Sequence, residues 1–153
     1  MTSAARNDRS VDGQRLWSSL MTMAEIGATP AGGSNRQALT EEDRQGRALF
    51  QAWAEEAGCQ VHVDTIGNLF ATRPGADSEA DPILVGSHLD TQPTGGRFDG
   101  VYGVLAGLEV IRTLNDFDLH TRSPLIVASW TNEEGARFPP AMMGSGVWAG
   151  EFD

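Results

Sequence analysis

The sequence predicts an α/β domain with a mixed, largely parallel sheet. Two short apolar runs, residues 83–87 and 124–130, have the length and composition of buried strands. A helical segment over residues 100–114 lies between them. Strand, long helix and strand is the crossover that places two strands parallel in one sheet. With 153 residues, the chain is long enough to form one domain with a substantial core.

A first helix is predicted over residues 11–26. Apolar residues recur there at three- and four-residue steps and form one stripe, and Gly27 ends the segment. The residues before this helix carry no apolar core. We therefore expect residues 1–13 to form a disordered N-terminus and residues 14–153 to form the folded part of the chain.

A second helix and a β-hairpin follow. Thr40 starts the helix as a hydroxyl cap with Asp43 three residues on, close to a capping box, and Gly58 ends it. The stretch QVHVDTIGNLFATR, residues 60–73, reads as two strands on either side of Gly67-Asn68. This pattern predicts a hairpin with its turn at these two residues.

Composition argues against several classes of protein. The chain has 21 acidic residues and 11 basic ones, all of the latter arginine, for a net charge of −10. Such a surface repels phosphate backbones, so we expect no nucleic-acid partner. No apolar run approaches the ~18–20 residues of a membrane span, so we expect no membrane partner. The single Cys59 cannot form an internal disulfide, which favours a cytoplasmic location, and we interpret it as a half-buried, non-catalytic thiol.

Polar side chains follow both predicted strands of the crossover. GSHLDTQPTGGRFDG, residues 86–100, leaves the first strand, and TNEEGARFPP, residues 131–140, leaves the second. Because ligands of open α/β sheets bind at the carboxyl ends of the strands, we expect the polar residues of the two loops to converge. These residues are His88, Asp90, Asp99, Glu133 and Glu134. One imidazole with several carboxylates suits a divalent ion such as Zn²⁺.

The positions of these residues suggest their roles. Asp90 lies two residues beyond His88 and shares its face on an extended segment, so its carboxylate can hold the second ring N–H. Asp99 has two oxygens and could bridge two ions. Of Glu133 and Glu134, one can coordinate metal while the other faces the attacking water. The competing interpretation is that both loops are ordinary solvated turns, and we assign the other two histidines to the surface.

The motifs together resemble a known family. GSHLDTQPTGGRFDGVYGVLAGLEV followed by TNEEGARFPPAMMGSGVWAG is similar to the hydantoinase/carbamoylase branch of the zinc aminoacylase and carboxypeptidase superfamily. This branch includes N-carbamoyl-L-amino-acid hydrolases, β-ureidopropionases of the non-nitrilase type and allantoate amidohydrolases. Two upstream stretches, GATPAGGSNRQALTEEDRQGR and DTIGNLFATRPG, also resemble it, so the likeness runs from about residue 14 to the end.

The resemblance implies a role for each site residue. His88 would bind one ion, Asp99 would bridge both, and Glu134 would bind the other. Glu133 would be the general base, and Asp90 would orient His88. The ions would be two divalent cations, Zn²⁺ in preference to Mn²⁺, Co²⁺ or Ni²⁺. A cis peptide bond would follow Asp99.

The resemblance also implies an architecture. The chain would form part of a three-layer α/β/α, zinc-aminopeptidase-like catalytic domain. In the family this domain continues beyond the Glu pair, supplies two more histidine ligands and carries an inserted lid domain that forms a homodimer. The sequence contains neither those histidines nor the lid. Residues 14–153 are therefore expected to be the N-terminal part of a truncated metallohydrolase domain.

The predicted function is metal-dependent hydrolysis of a linear C–N bond in an N-carbamoyl-L-amino acid or a related ureido acid. Related alternatives are an allantoate amidohydrolase, an aminoacylase or a peptidase. An alternative of another class is an inactive fragment that binds metal weakly or needs a partner chain. For the isolated chain we expect no turnover, weak Zn²⁺ binding and aggregation, because apolar surface of residues 83–85 and 125–128 would be partly uncovered.

Overall fold

The computed structural model describes residues 10–152. Its elements follow the chain in the order α1 (Gly13–Glu25), α2 (Glu41–Glu56), β1 (Gln60–Val63), β2 (Leu69–Arg73), β3 (Ile83–His88), α3 (Val101–Asp116), β4 (Leu125–Trp130) and α4 (Met143–Trp148). Every helix and strand predicted from the sequence is present, and the structure adds α4. The predicted disordered N-terminus, residues 1–13, lies mainly outside the described residues.

The four strands form one mixed sheet in the order β1-β2-β4-β3. β3 and β4 are parallel, with His88 opposite Trp130 at their carboxyl ends. β2 is antiparallel to both β1 and β4. α3 connects the parallel pair and packs on both of its strands. The predicted crossover and the α/β class are therefore confirmed.

One face of the sheet carries the main hydrophobic core. α3 packs on β3 and β4, α2 packs on β1 and β2, and α1 packs on α3 and adds side chains to the same buried cluster. The buried centre of the core includes Met23, Phe50, Leu69, Leu108 and Val127. The opposite face meets α4, where the Trp148 ring packs on Trp130 with 5.4 Å between ring centroids. Among the described residues, three helices therefore cover one face of the sheet, and one short helix covers the other.

The helices begin where the sequence predicts. Asp12 caps α1 by accepting hydrogen bonds from two amides of its first turn, and Thr40 caps α2 by accepting from the Asp43 amide at 3.3 Å. These contacts satisfy amides that have no partner within the helix. Buried Glu109 of α3 accepts two hydrogen bonds from the Arg15 guanidinium, which holds α1 against α3.

The hairpin turn is longer than the predicted two residues. β1 ends at Val63 and β2 begins at Leu69. The Asp64 carboxylate accepts hydrogen bonds from the amides of Ile66 and Asn68 and so closes a local loop. An aspartate that bonds to amides further along the chain favours such a loop over a tight two-residue turn. The prediction of a turn at 67–68 is therefore wrong in length, although the hairpin itself is present.

β3 is an edge strand of the described sheet, which differs from the prediction of a buried one. Ile83 is 56% exposed and Val85 is 48% exposed, because no described strand pairs with the outer side of β3. Val127 and Ala128 on the neighbouring β4 are buried. The prediction of exposed apolar side chains is therefore correct for β3. It is wrong for Val127 and Ala128 of β4, which are buried.

Cys59 is a free thiol that is more completely buried than predicted. Burial raises the pKa of this thiol, so it is protonated at neutral pH and is unsuited to act as a nucleophile. The interpretation of Cys59 as a packing residue agrees with this environment. In the described part of the chain, no helix combines the length and apolar character that a membrane crossing requires.

Candidate metal centre

The two polar loops begin side by side at the carboxyl ends of β3 and β4, whose last residues are paired. His88 is the last residue of β3, and Asp99 and Glu134 lie in the loops that follow the two strands. One ligand atom from each of these three residues lies within 4.8 Å of the others. The structure thus brings together an imidazole nitrogen and two carboxylate oxygens, as a divalent cation site requires.

The backbone fixes the orientation of the His88 imidazole. Nδ1 lies 2.8 Å from the carbonyl oxygen of Asp90. Because a carbonyl can only accept a hydrogen bond, Nδ1 carries a proton, and in the neutral ring Nε2 holds the lone pair. His88 is buried, so this contact holds the ring in one position. Nε2, which lies 3.3 Å from Glu133 Oε2, is the ring atom that this arrangement offers to a metal.

The carboxylate of Asp90 has a different contact from the predicted one. Its Oδ1 lies 3.8 Å from His88 Nδ1, which is too far for a hydrogen bond. The carboxylate instead accepts hydrogen bonds from the backbone amides of Glu133 and Glu134, each at 3.2 Å. Asp90 is 3% exposed, so these bonds are shielded from water. Asp90 therefore orients His88 through its main chain and ties the second loop to the first through its side chain.

The two adjacent glutamates lie in different environments. Glu133 Oε2 lies 3.3 Å from His88 Nε2, and the Glu133 side chain is 32% exposed. Glu134 Oε2 accepts a hydrogen bond from Gln92 Nε2 at 3.0 Å. Glu134 Oε1 is buried and has no hydrogen-bond partner. Burying a carboxylate oxygen without a partner is unfavourable, so this atom fits a position beside a cation.

Asp99 is followed by a tight turn that passes against the His88 ring. A Cβ atom on Gly100 would lie 2.4 Å from His88 Nε2, and Gly100 has a φ of 66°. The Val101 amide donates to the Asp99 carbonyl at 2.7 Å, which closes a three-residue turn. The implied cis bond after Asp99 is wrong for this structure, where the one cis bond among residues 10–152 is Pro139-Pro140. The positive φ of glycine makes the reversal instead.

Three supporting residues were not identified from the sequence. Gln92 contacts Glu134, and the buried Asn132 has a φ of 52° and donates to the Phe138 carbonyl at 2.6 Å. Buried Asn68 accepts from the Thr131 amide at 3.0 Å. Asparagine tolerates a positive φ, so an asparagine directly before the Glu pair was a signal for such a bend. Gln92 and Asn68 carried no comparable local signal.

Comparison with known proteins agrees with this geometry. Residues 84–152 match peptidase family M20/M25/M40. An N-carbamoyl-L-amino-acid amidohydrolase of Rhizobium meliloti is 60% identical over 147 residues, which cover 96% of this chain and 35% of the relative. The chain is similar to amidases of the hydantoinase/carbamoylase family. The crystal structure of a hydantoinase/carbamoylase family amidase from Burkholderia ambifaria has a TM-score of 0.92 and 65% identity, over 93% of this chain and 35% of that one.

A relative named for a different substrate also matches the chain, at lower identity. An allantoate amidohydrolase of Bacillus subtilis is 34% identical over 130 residues, which cover 85% of this chain and 32% of the relative. The chain spans about a third of the length of the relatives that it matches. The predicted resemblance to this family is confirmed, and the zinc-exopeptidase-like fold is confirmed for the portion that the chain represents.

Proposed function

We propose that this chain carries part of the active site of a metal-dependent amidohydrolase that cleaves the ureido C–N bond of N-carbamoyl-L-amino acids. The observation that carries the proposal is the group of His88, Asp99 and Glu134, with Glu133 beside it and not engaged by Gln92. The 60% identity to an N-carbamoyl-L-amino-acid amidohydrolase supports the substrate class.

The proposed cofactor is a pair of divalent cations, with Zn²⁺ preferred and Mn²⁺, Co²⁺ or Ni²⁺ as substitutes. His88 and Glu134 would each bind one ion, and Asp99 would bind both. This arrangement gives each ion two protein ligands from the described residues, one fewer than the three of a typical catalytic zinc site. The remaining ligands would be water, substrate or groups outside the described residues.

Bound divalent cations polarise a carbonyl group and activate water as a nucleophile. Glu133 is the proposed general base, because its carboxylate is partly exposed at the ligand group. It would take a proton from the water that attacks the ureido carbon. As the C–N bond breaks, Glu133 would pass that proton to the leaving nitrogen, which becomes the amine of the amino acid. The carbamoyl carbon would leave as carbamate, which decomposes to ammonia and carbon dioxide.

Glu134 is the proposed ligand of the pair. The hydrogen bond from Gln92 to Oε2 fixes one of its oxygens and leaves the buried Oε1 without a protein partner. Asp90 would keep both glutamates in place through their amides. The opposite assignment makes Glu133 the ligand and Glu134 the base. The metal content of variants at the two positions distinguishes these assignments, because only loss of the ligand releases metal.

Allantoate is the second candidate substrate, supported by the relative from Bacillus subtilis that is 34% identical. Allantoate also contains ureido groups, so the same attack on a ureido carbon would cleave it. The rate of ammonia release from each substrate shows which of the two the enzyme prefers.

The test grafts residues 14–153 in place of the matching segment of the Rhizobium meliloti enzyme and assays the chimera beside the isolated chain. The expected result is release of ammonia and amino acid from N-carbamoyl-L-amino acids, dependent on added Zn²⁺, Mn²⁺ or Co²⁺ and absent in Glu133→Gln. Faster turnover of allantoate would favour the second candidate. A folded chimera that binds metal and cleaves neither substrate would favour the non-catalytic alternative.

A further inference from the structure

Arg36 is the largest fully buried side chain in the described structure, with no measurable exposure. It lies in the loop between α1 and α2, far in sequence from both metal-site loops. Its guanidinium donates to the carbonyl oxygens of Ile26 at 2.7 Å and Met23 at 3.2 Å, while Nη2 has no hydrogen-bond partner. Burying a cation costs free energy unless hydrogen bonds and opposite charges compensate it.

The other contacts of Arg36 are with the residues on either side of Asp90. Arg36 Nε donates to the Leu89 carbonyl at 2.8 Å. The Arg36 amide donates to Thr91 Oγ1 at 2.7 Å, and the Thr91 amide donates to the Arg36 carbonyl at 2.9 Å. Leu89 and Thr91 are each 1% exposed. Arg36 is therefore bonded to the residues before and after Asp90, through its side chain to Leu89 and through its main chain to Thr91.

These bonds continue into the metal-site residues. The Asp90 carbonyl accepts from His88 Nδ1, and the Asp90 carboxylate accepts from the amides of Glu133 and Glu134. Displacement of Asp90 would consequently move the proposed ligands of both loops at once. The negative charges of Asp43 and Asp90 also act on the guanidinium and oppose the lowering of the Arg36 pKa by burial.

Two further arginines connect the same interhelical loop to the metal-site loops. Arg97, in the first of them, donates through Nε to the Gly32 carbonyl at 2.9 Å. Arg137, in the second, donates through Nη1 to the carbonyls of Ala38 at 2.9 Å and Leu39 at 2.7 Å. The loop that contains Arg36 is thus bonded to both halves of the site, and Arg36 is its buried centre.

We propose that Arg36 is a positioning residue for the metal centre, whose guanidinium holds the Leu89 carbonyl and thereby the placement of Asp90. It touches neither the ligand atoms nor a substrate. The inference rests on the proposed metal centre and extends it to a residue outside both metal-site loops. A purely structural arginine would lower stability on removal and would leave metal affinity and the local order of the two loops unchanged.

Arg73 provides a matched control. It is also a buried arginine that donates to a carbonyl, that of Leu119 at 2.7 Å, and its Nη1 also lacks a partner. It lies opposite Leu125 at the amino end of β4, away from the metal centre. Arg36→Met and Arg73→Met therefore remove comparable buried cations, and only the first is connected to Asp90.

The experiment measures Zn²⁺ and Co²⁺ affinity by competition with a chelating dye, and amide hydrogen exchange of the metal-free protein at residues 88–91 and 132–134. Arg36→Met is expected to weaken metal affinity about 10- to 100-fold, as losses of supporting groups at metal sites do, and to speed exchange at both segments. Arg73→Met is expected to change neither. Arg36→Lys keeps the charge with fewer donors and is expected to lie between wild type and Arg36→Met.

Unchanged affinity and exchange in a folded Arg36→Met or Arg36→Lys protein would overturn the inference and leave the metal centre intact. If Arg36→Met does not fold, Arg36→Lys decides the question. If the wild-type protein binds neither metal, the proposed centre fails, and with it the role of Arg36 there. Equal losses in the Arg36→Met and Arg73→Met proteins would show a general effect of stability and would also overturn the inference.

Discussion

The His88 imidazole donates through Nδ1 to the backbone carbonyl of Asp90 at 2.8 Å. A main-chain oxygen, rather than the neighbouring carboxylate, therefore selects the tautomer that leaves Nε2 available for metal. The carboxylate of Asp90 is free to bond the amides of Glu133 and Glu134 instead. The two groups of Asp90 thus serve different halves of the candidate centre, and substitution can separate them.

Asp90→Asn is expected to keep the His88 tautomer and to loosen the second loop. The variant retains the backbone carbonyl, but its NH₂ group cannot accept a hydrogen bond from an amide. We expect metal affinity to fall about 10- to 100-fold. Nitrogen NMR of the His88 ring reports the tautomer, and a metal titration reports the affinity. Loss of the Nδ1–H tautomer with unchanged affinity would contradict the division of roles.

Glu133→Gln is expected to remove activity while metal content is retained. The substitution preserves size and removes the base, and general-base contributions are about 10²- to 10⁴-fold in rate. The measurement is turnover of N-carbamoyl substrate by the chimera described above, with elemental analysis of the same sample. Glu134→Gln is the matched control and should lose metal. Metal loss in Glu133→Gln would mean that the two roles are reversed.

Asp99→Ala is expected to lower metal content more than Glu134→Ala. A bridging carboxylate serves both ions and screens their mutual repulsion, whereas Glu134 would serve one. The metal-to-protein ratio after dialysis measures the difference. The same ratio in the two variants would contradict bridging by Asp99, and would instead suit a single ion held by His88, Asp99 and Glu134 together.

Gly100→Ala is expected to disrupt His88. The new methyl group would lie 2.4 Å from His88 Nε2 at a φ of 66°, where non-glycine residues are strained. We expect a loss of at least about 1–3 kcal/mol in the free energy of unfolding, together with weaker metal binding. Gly96→Ala in the same loop has no atom within 4 Å and should change stability by less than about 0.5 kcal/mol. Urea unfolding compares them, and similar losses in both would refute the close-approach argument.

Asp43→Asn is expected to stabilise the protein increasingly as pH rises. Burial raises the pKa of Asp43 above its ordinary value. Between the ordinary and the raised pKa, the folded state keeps a proton that the unfolded state has released, so this residue makes stability fall as pH rises. Asparagine can still accept from the Leu39 amide and does not titrate. Urea midpoints of the two metal-free proteins from about pH 4 to 7 test the sign, and a difference that shrinks with pH would contradict it.

Much of the fold follows from local features of the sequence. Residue periodicity predicts α1, Thr40 and Asp43 mark the start of α2, and two apolar runs on either side of a helical segment predict the parallel pair of β3 and β4. These features are local, because a helix or a strand repeats its burial pattern within a few residues. The length of the hairpin turn was missed, because it depends on where the Asp64 side chain bonds.

The sequence by itself determined which residues could form the centre, because an imidazole and carboxylates after two successive strands must meet at one edge of a parallel pair. Only the tertiary structure decided how they are held. In the folded protein β3 lies at an edge of the sheet, and the Asp90 carboxylate accepts hydrogen bonds from two amides of the second loop. Arg36 is buried beside Leu89 and Thr91. These contacts join residues more than forty positions apart. A hydrogen bond of this kind depends on the packed position of both partners, and no local pattern in the sequence encodes that position.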